Sequence, residues 1–221
     1  MTDSLPMFPL NTVLFPGVTL PLHVFEDRYR ALVQHLLSIP DPAERVFGTV
    51  AIREGYEVGD HGAQSLYRVG VRMQLNEVES NEDGTFEILA TGRDRIVLGG
   101  LETTGEFATG AVTDSPDEPD KGTSTLHDRA RATFTAYRAA LSEMQGTTFS
   151  ASLPRDPGFL SWTLAALAPL PMAERQSLLE AESPHARLKL VTQFLREELR
   201  AINVIPSLPA TDVARTAWSP N

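Results

Sequence analysis

The chain has 221 residues, 42% of them hydrophobic and 22% charged, a balance that suits a soluble globular protein able to bury its own core. It has no cysteine, which excludes disulfides, thiolate metal centres and cysteine nucleophiles and fits a reducing, cytoplasmic setting. The formal charge of −10 is uneven: residues 1–120 hold 20 acidic and 8 basic side chains against 9 and 11 in residues 121–221, so the first half repels phosphate backbones and nucleic acid is not expected as a partner.

Residues 1–10 lack the basic region and long apolar run of a secretory signal. No stretch approaches the roughly 18 apolar residues of a membrane helix, so no membrane partner is expected. Up to about Thr113 the pattern is strand-like. Residues 12–14 and 19–22 are short apolar runs flanking the turn signal Phe15-Pro16-Gly17. Residues 26–37 place Tyr29, Leu32, Val33, Leu36 and Leu37 at helical spacing, and Pro40 and Pro42 end that helix. Residues 47–52 form a β-branched, apolar run. Residues 69–78 alternate Val69, Val71, Met73 and Leu75 with polar or small partners, the period of a half-buried strand. Asn81-Glu82-Asp83-Gly84 is a hairpin turn, and residues 85–90 return with Phe86, Ile88 and Ala90 on one face. Residues 95–98 and 107–112 supply further strands, and the set suggests a small barrel or sandwich.

Residues 114–122 are acidic, proline-rich and free of large apolar side chains, which reads as a linker. The pattern then turns helical. Residues 126–144 carry an inner stripe of Ala130, Phe134, Tyr137 and Leu141, with Ser124 and Thr125 as caps and Gly146 as the stop. Residues 156–167 form a second helix with Phe159, Leu160, Leu164 and Leu167 inward. Residues 172–181 form a third after Pro171, and Pro184 opens a fourth that spaces Leu188, Val191, Leu195 and Leu199 along one face. The expected organisation is a β-rich part (1–113), a linker (114–123), a helical bundle (124–203) and an extended tail (204–221). Segregated elements of this kind define an α+β protein.

The residue sets that run common chemistries are not assembled. Gly92-Arg93 and Gly99-Gly100 are not followed by Lys-Ser/Thr at phosphate-loop spacing. His23, His35, His61, His127 and His185 never form an i, i+4 pair around an acid. Asp60-His61, in a glycine-flanked loop, could touch a metal, though a solvated loop tip explains it as well; His127-Asp128 heads a helix, where an acid suits the dipole. No Gly-x-Ser-x-Gly elbow occurs, and the only lysines, Lys121 and Lys189, read as solvated rather than as half of a Ser-Lys dyad. The pairs Glu102/Glu106 and Glu197/Glu198 are of a kind commonplace on surfaces. No catalytic residue, metal or cofactor is expected.

The first thirty residues carry the most specific signal. The runs Leu5-Pro6-Met7-Phe8-Pro9-Leu10, Val13-Leu14-Phe15-Pro16-Gly17 and Leu20-Pro21-Leu22-His23-Val24-Phe25-Glu26-Asp27-Arg28-Tyr29-Arg30 resemble the opening of the Lon amino-terminal domain family. Phe47-Gly48, Leu66-Tyr67-Arg68-Val69-Gly70, the hairpin at Asp83-Gly84 and Gly92-Arg93-Asp94-Arg95-Ile96 continue the likeness. In the helical half Leu170-Pro171, Glu174-Arg175-Gln176, Leu178-Leu179-Glu180 and Arg187-Leu188 extend it to about residue 203. The chain departs from the family's Gly-Thr-x-Ala at Gly70-Val71-Arg72-Met73, and it stops where a full Lon protease would continue into ATPase and protease domains.

The resemblance implies a small twisted β-barrel of the pseudouridine-synthase-associated type, a helical bundle, and a stand-alone, non-catalytic role in recognising proteins, unfolded peptides or degradation signals. An adaptor or regulator of a separate protease complex is the alternative, with peptidase activity and RNA binding behind it. Most of the opening motif reads as structural: Pro6, Phe8, Pro9, Phe15, Pro16, Gly17, Pro21, Leu22, His23, Phe25, Glu26, Arg28, Tyr29 and, further on, Gly70. The four prolines lack an amide hydrogen and suit strand ends and edges. Gly17 permits a tight turn, and Glu26 and Asp27 sit at the positive end of the helix. Phe15, Phe25, Tyr29 and Tyr67 are the candidates for an apolar groove that holds a peptide, at a sheet edge or between barrel and bundle.

Overall fold

The computed structural model describes residues 2–53, 65–146 and 152–204. Asp60-His61 and the tail beyond Val204 lie outside them. The chain divides into two compact units, Met1–Pro116 and Asp117–Asn221.

The first unit holds β1 (Thr2–Pro6), β2 (Thr19–Val24), α1 (Asp27–Ser38), β3 (Val46–Thr49), β4 (Val69–Ser80), β5 (Phe86–Glu102) and β6 (Thr109–Asp114). All paired strands run antiparallel in the order β1-β6-β5-β4-β3, with β2 also on β5. β5 organises the sheet. One edge pairs with β4; the other is divided between β2, opposite Phe86 to Thr91, and β6, opposite Ile96 to Glu102. The separate strands expected at 85–90 and 95–98 are therefore one strand. Gly92 does not break it, because its place opposite Met73 keeps it in the ladder. The run at 12–14 is not a strand, although Val13 and Leu14 are buried, and β1 had no clear signal in its polar sequence TDSLP.

The expected barrel is not closed by a continuous ladder. Residues just after β1 meet the β3 side through isolated parallel bridges, Met7 to Gly48 and Leu10 to Ala51. Phe8 and Leu10, on either side of Pro9, donate their amides to the Gly48 and Val50 carbonyls at 2.8 and 3.0 Å, and Ile52 donates to the Leu10 carbonyl at 2.9 Å. Leu5, Met7, Val50, Ile96, Leu98 and Val112 pack into one core cluster of this unit. α1 buries Tyr29, Leu32, Val33 and Leu36; Leu37, expected inward, is exposed.

The second unit holds α2 (Ser124–Gln145), α3 (Pro157–Leu167), α4 (Met172–Glu180) and α5 (Pro184–Val204). Thr123, not Ser124 or Thr125, caps α2 by accepting from the Leu126 amide at 3.3 Å, and Gly146 ends it in the left-handed region. Asp156 caps α3 by accepting from the Phe159 amide at 2.9 Å. α5 touches α2, α3 and α4, and its stripe of Leu188, Val191 and Leu195 is fully buried. On α3, Leu160 and Leu164 face inward, but Phe159 is 70% exposed and Leu167 lies at the surface. Residues i and i+1 point about 100° apart on a helix, so Phe159 cannot share the face of Leu160 fully. No helix among the described residues is long and apolar enough to cross a membrane.

The segment read as a linker is bonded within each unit. Arg95 donates to the carbonyls of Ser115 at 2.9 Å and Pro116 at 3.3 Å in the first. In the second, the Glu118 amide donates to the Glu182 carbonyl at 2.8 Å, and Asp117 binds Arg187.

Candidate functional site

The opening motif builds a groove in the first unit. Phe15-Pro16-Gly17 makes a turn with Gly17 at φ +80°, and the turn docks on β5: the Gly17 amide donates to the Gly92 carbonyl and the Gly92 amide to the Val18 carbonyl, both at 2.9 Å. A side chain at Gly92 would meet the Phe15 carbonyl at 2.5 Å, so glycine is what lets the turn approach. β2 then leaves the turn and pairs with β5. Phe25 and Glu26 follow, and the Glu26 carbonyl accepts from the Tyr29 and Arg30 amides to start α1.

The groove, about 210 Å³ in volume, lies between residues 8–11, the end of β2 and the first turn of α1. Phe8, Leu10, Leu22, Phe25, Tyr29 and Ile52 make its apolar lining. Phe8 and Tyr29 stack with centroids 4.0 Å apart and planes 7° from parallel. Phe25 is 62% exposed and stacks on His23 at 5.9 Å. An aromatic ring this open to water at the edge of an apolar concavity is the kind of surface that a ligand covers.

Charged groups rim this lining. His23 Nδ1 lies 2.5 Å from Glu87 Oε1 on β5. Glu26 accepts from Arg28 Nε at 2.9 Å and Nη2 at 2.5 Å, and the same guanidinium lies 4.9 Å from the Tyr29 ring centroid. Burial opposes the Arg28 charge, but the Glu26 bond, with the Tyr29 and Glu26 charges, raises its pKa on balance. Burial raises the Tyr29 phenol, outweighing the opposite pull of Arg28. The site thus offers a neutral, apolar floor with a fixed cation and two carboxylates at its edge.

Of the residues singled out in the sequence, Phe8, Pro9, Leu22, His23, Phe25, Glu26, Arg28 and Tyr29 meet in this groove. Phe15 does not: it is fully buried and offers no surface. Tyr67 stands apart and half-buried, its amide on the Ala51 carbonyl at 2.9 Å and its ring 5.3 Å from the Arg53 guanidinium. Pro6 ends β1, Pro16 opens the turn, and Pro21 lies in β2 opposite Leu89. Gly70 is a close-approach position, where an added Cβ would meet the Thr49 carbonyl at 2.0 Å. The sequence reading missed Leu10 and Ile52; Leu10 closes the Phe-Pro-Leu run, but nothing local marks Ile52. Among the described residues no group of three or more His, Cys, Asp or Glu could hold a metal ion.

Solved structures share this architecture. The crystal structure of a Lon N-terminal domain protein from Xanthomonas campestris superposes with a TM-score of 0.62 at 26% identity, covering 85% of this chain and 95% of that one. The N-terminal domain of the Mycobacterium avium complex Lon protease gives 0.61 at 18% identity, over 88% and 98%, a likeness of fold alone. The class is therefore an α+β module of the Lon N-terminal type. The profile of the ATP-dependent protease La (LON) substrate-binding domain matches residues 4–197, and the chain belongs to that family. Among curated proteins it is 29% identical to Lon protease 2 of Herpetosiphon aurantiacus, over 92% of this chain and 25% of that protein. It is 25% identical to Lon protease of Escherichia coli K12, over 91% and 26%. The chain thus spans about a quarter of the length of these relatives.

Proposed function

We propose that this chain is a non-catalytic recognition module that binds extended, apolar segments of unfolded proteins in the groove beside β2. The observation that carries this reading is the exposed Phe25 ring at the edge of a concavity floored by the Phe8–Tyr29 stack. Membership of a substrate-binding family supports it. The chemistry fits: an unfolded segment offers aliphatic and aromatic side chains, and burying them against Phe25 and Leu22 removes apolar surface from water. β2 pairs with β5 alone among the described strands, so a sheet edge lies beside the groove, although Pro21 removes one donor from β2.

The test is titration of the purified chain with labelled peptides from a denatured client. Binding of apolar peptides at or below about 100 μM, lost in Phe25→Ala, supports the reading. Peptides that fail to bind at that concentration, or that bind Phe25→Ala equally, refute it.

A further inference from the structure

A second concavity lies wholly in the helical unit and has the opposite chemistry. It is about 290 Å³ in volume and runs between α2 and α5. Arg129 on α2 and Lys189, Arg196 and Arg200 on α5 line it, against one carboxylate, Glu197. Lys189, Gln193, Arg196 and Arg200 follow the spacing i, i+4, i+7, i+11, which keeps them on one helical face. That stripe is roughly 16 Å long at 1.5 Å rise per residue. Glu197 accepts from Gln193 Nε2 at 3.0 Å. None of the four cations has a carboxylate within ion-pair distance among the described residues. Leu126 and the buried Thr192 complete the lining, and Thr192 donates to the Leu188 carbonyl at 2.6 Å.

Four cations with no ion-pair partner among the described residues converge here in a protein whose net charge is −10. Like charges gathered along one cleft repel each other, and a complementary anion relieves that repulsion. We propose that the α2–α5 cleft binds an acidic, extended peptide segment of a partner protein. An extended chain advances roughly 3.3 Å per residue, so about five residues span the stripe and present carboxylates along it. Nucleic acid fits less well. No aromatic ring lines the cleft to stack a base.

The experiment uses the full chain and fluorescence anisotropy with a labelled peptide of alternating glutamate and serine, about a dozen residues long at the extended rise given above. A lysine–serine peptide and single-stranded DNA of similar length serve as competitors. The acidic peptide is expected to bind and to weaken as salt rises. The double variant R196E/R200E is expected to lose about tenfold in affinity with an unchanged thermal melt, a loss consistent with a few exposed charge pairs. Lys189→Glu alone, at an exposed position, tests the same cleft should the double variant fold poorly. Phe25→Ala, in the other groove, should leave this binding unchanged, which separates the two sites. The proposal is overturned if the peptide does not bind, if the charge reversals leave its affinity intact, if Phe25→Ala weakens it equally, or if DNA binds more tightly.

Discussion

Asp117 holds both terminal nitrogens of Arg187, at 2.6 and 3.0 Å, and the Arg187 side chain is fully buried. The same guanidinium donates to Ser161 Oγ at 2.8 Å and to the Leu178 and Ala181 carbonyls at 3.1 Å, with its centre 3.1 Å from the Trp162 ring centroid. One side chain thereby joins the segment before α2 to α3, α4 and α5. Removing the Asp117 carboxylate takes a bidentate partner from this buried cation. Asp117→Ala is expected to cost about 3 kcal/mol, near the lower end for a broken buried pair because those neutral acceptors remain. Urea unfolding followed by circular dichroism measures it; a loss below about 1 kcal/mol would show that the partners other than Asp117 carry the charge.

Phe8 and Phe25 line one groove but differ in burial, so their alanine variants should separate stability from binding. Phe8→Ala removes a buried ring and is expected to destabilise by about 3–4 kcal/mol. Phe25→Ala should change stability by no more than about 0.5 kcal/mol while weakening apolar peptide about tenfold. Thermal melts and peptide titrations on the same samples check both halves. Equal stability losses would mean that Phe25 is packed in solution.

Gly92→Ala places a methyl group against the Phe15 carbonyl, where backbone rather than a flexible side chain must give way. A cost of about 1–3 kcal/mol is expected, together with shifted amide resonances for Gly17 and Val18, whose bonds to Gly92 are disturbed. Unmoved resonances at both positions would show that the turn does not depend on this approach.

Glu174 and Glu198 in the helical unit are held above the ordinary glutamate value. Burial comes first for both, and the Glu198 and Glu197 charges add to it at Glu174. The folded chain therefore keeps these protons more tightly than the unfolded one. The stabilisation is complete below the unfolded value and is lost as pH rises through the folded values. Glu174→Gln should then stabilise the protein at neutral pH by about 0.5 kcal/mol or less, since water screens these half-exposed groups. The gain should vanish on acidification. A gain that persists at low pH would have another origin.

Much of the fold was legible because its signals are local. The helical stripes at Ala130, Phe134, Tyr137 and Leu141 and at Leu188, Val191 and Leu195 are buried as their period implies, and the Asn81–Gly84 turn joins β4 to β5. What the sequence did not show is set by distant partners. β5 runs through Gly92 because β4 and the Phe15 turn flank it, and Phe159 looks like a core residue until the face of α3 that meets α5 is known. The groove was half legible. Phe25 and Tyr29 lie within the opening motif, whereas Ile52 reaches them only through the Leu10 pairing, and Phe15 is spent on the core.

The division of one edge of β5 between β2 and β6 also bears on the order of folding. β4 and β5 are neighbours in sequence and close through a short turn, whereas β2 must bridge a long loop to reach Phe86–Thr91. The β4–β5 hairpin is therefore expected to form first, with the groove beside β2 assembling after it. Pulsed hydrogen exchange during refolding should protect β4–β5 amides before those of β2. Simultaneous protection would contradict that sequence of events. If it holds, a chain caught partway through folding has a sheet but not yet the groove.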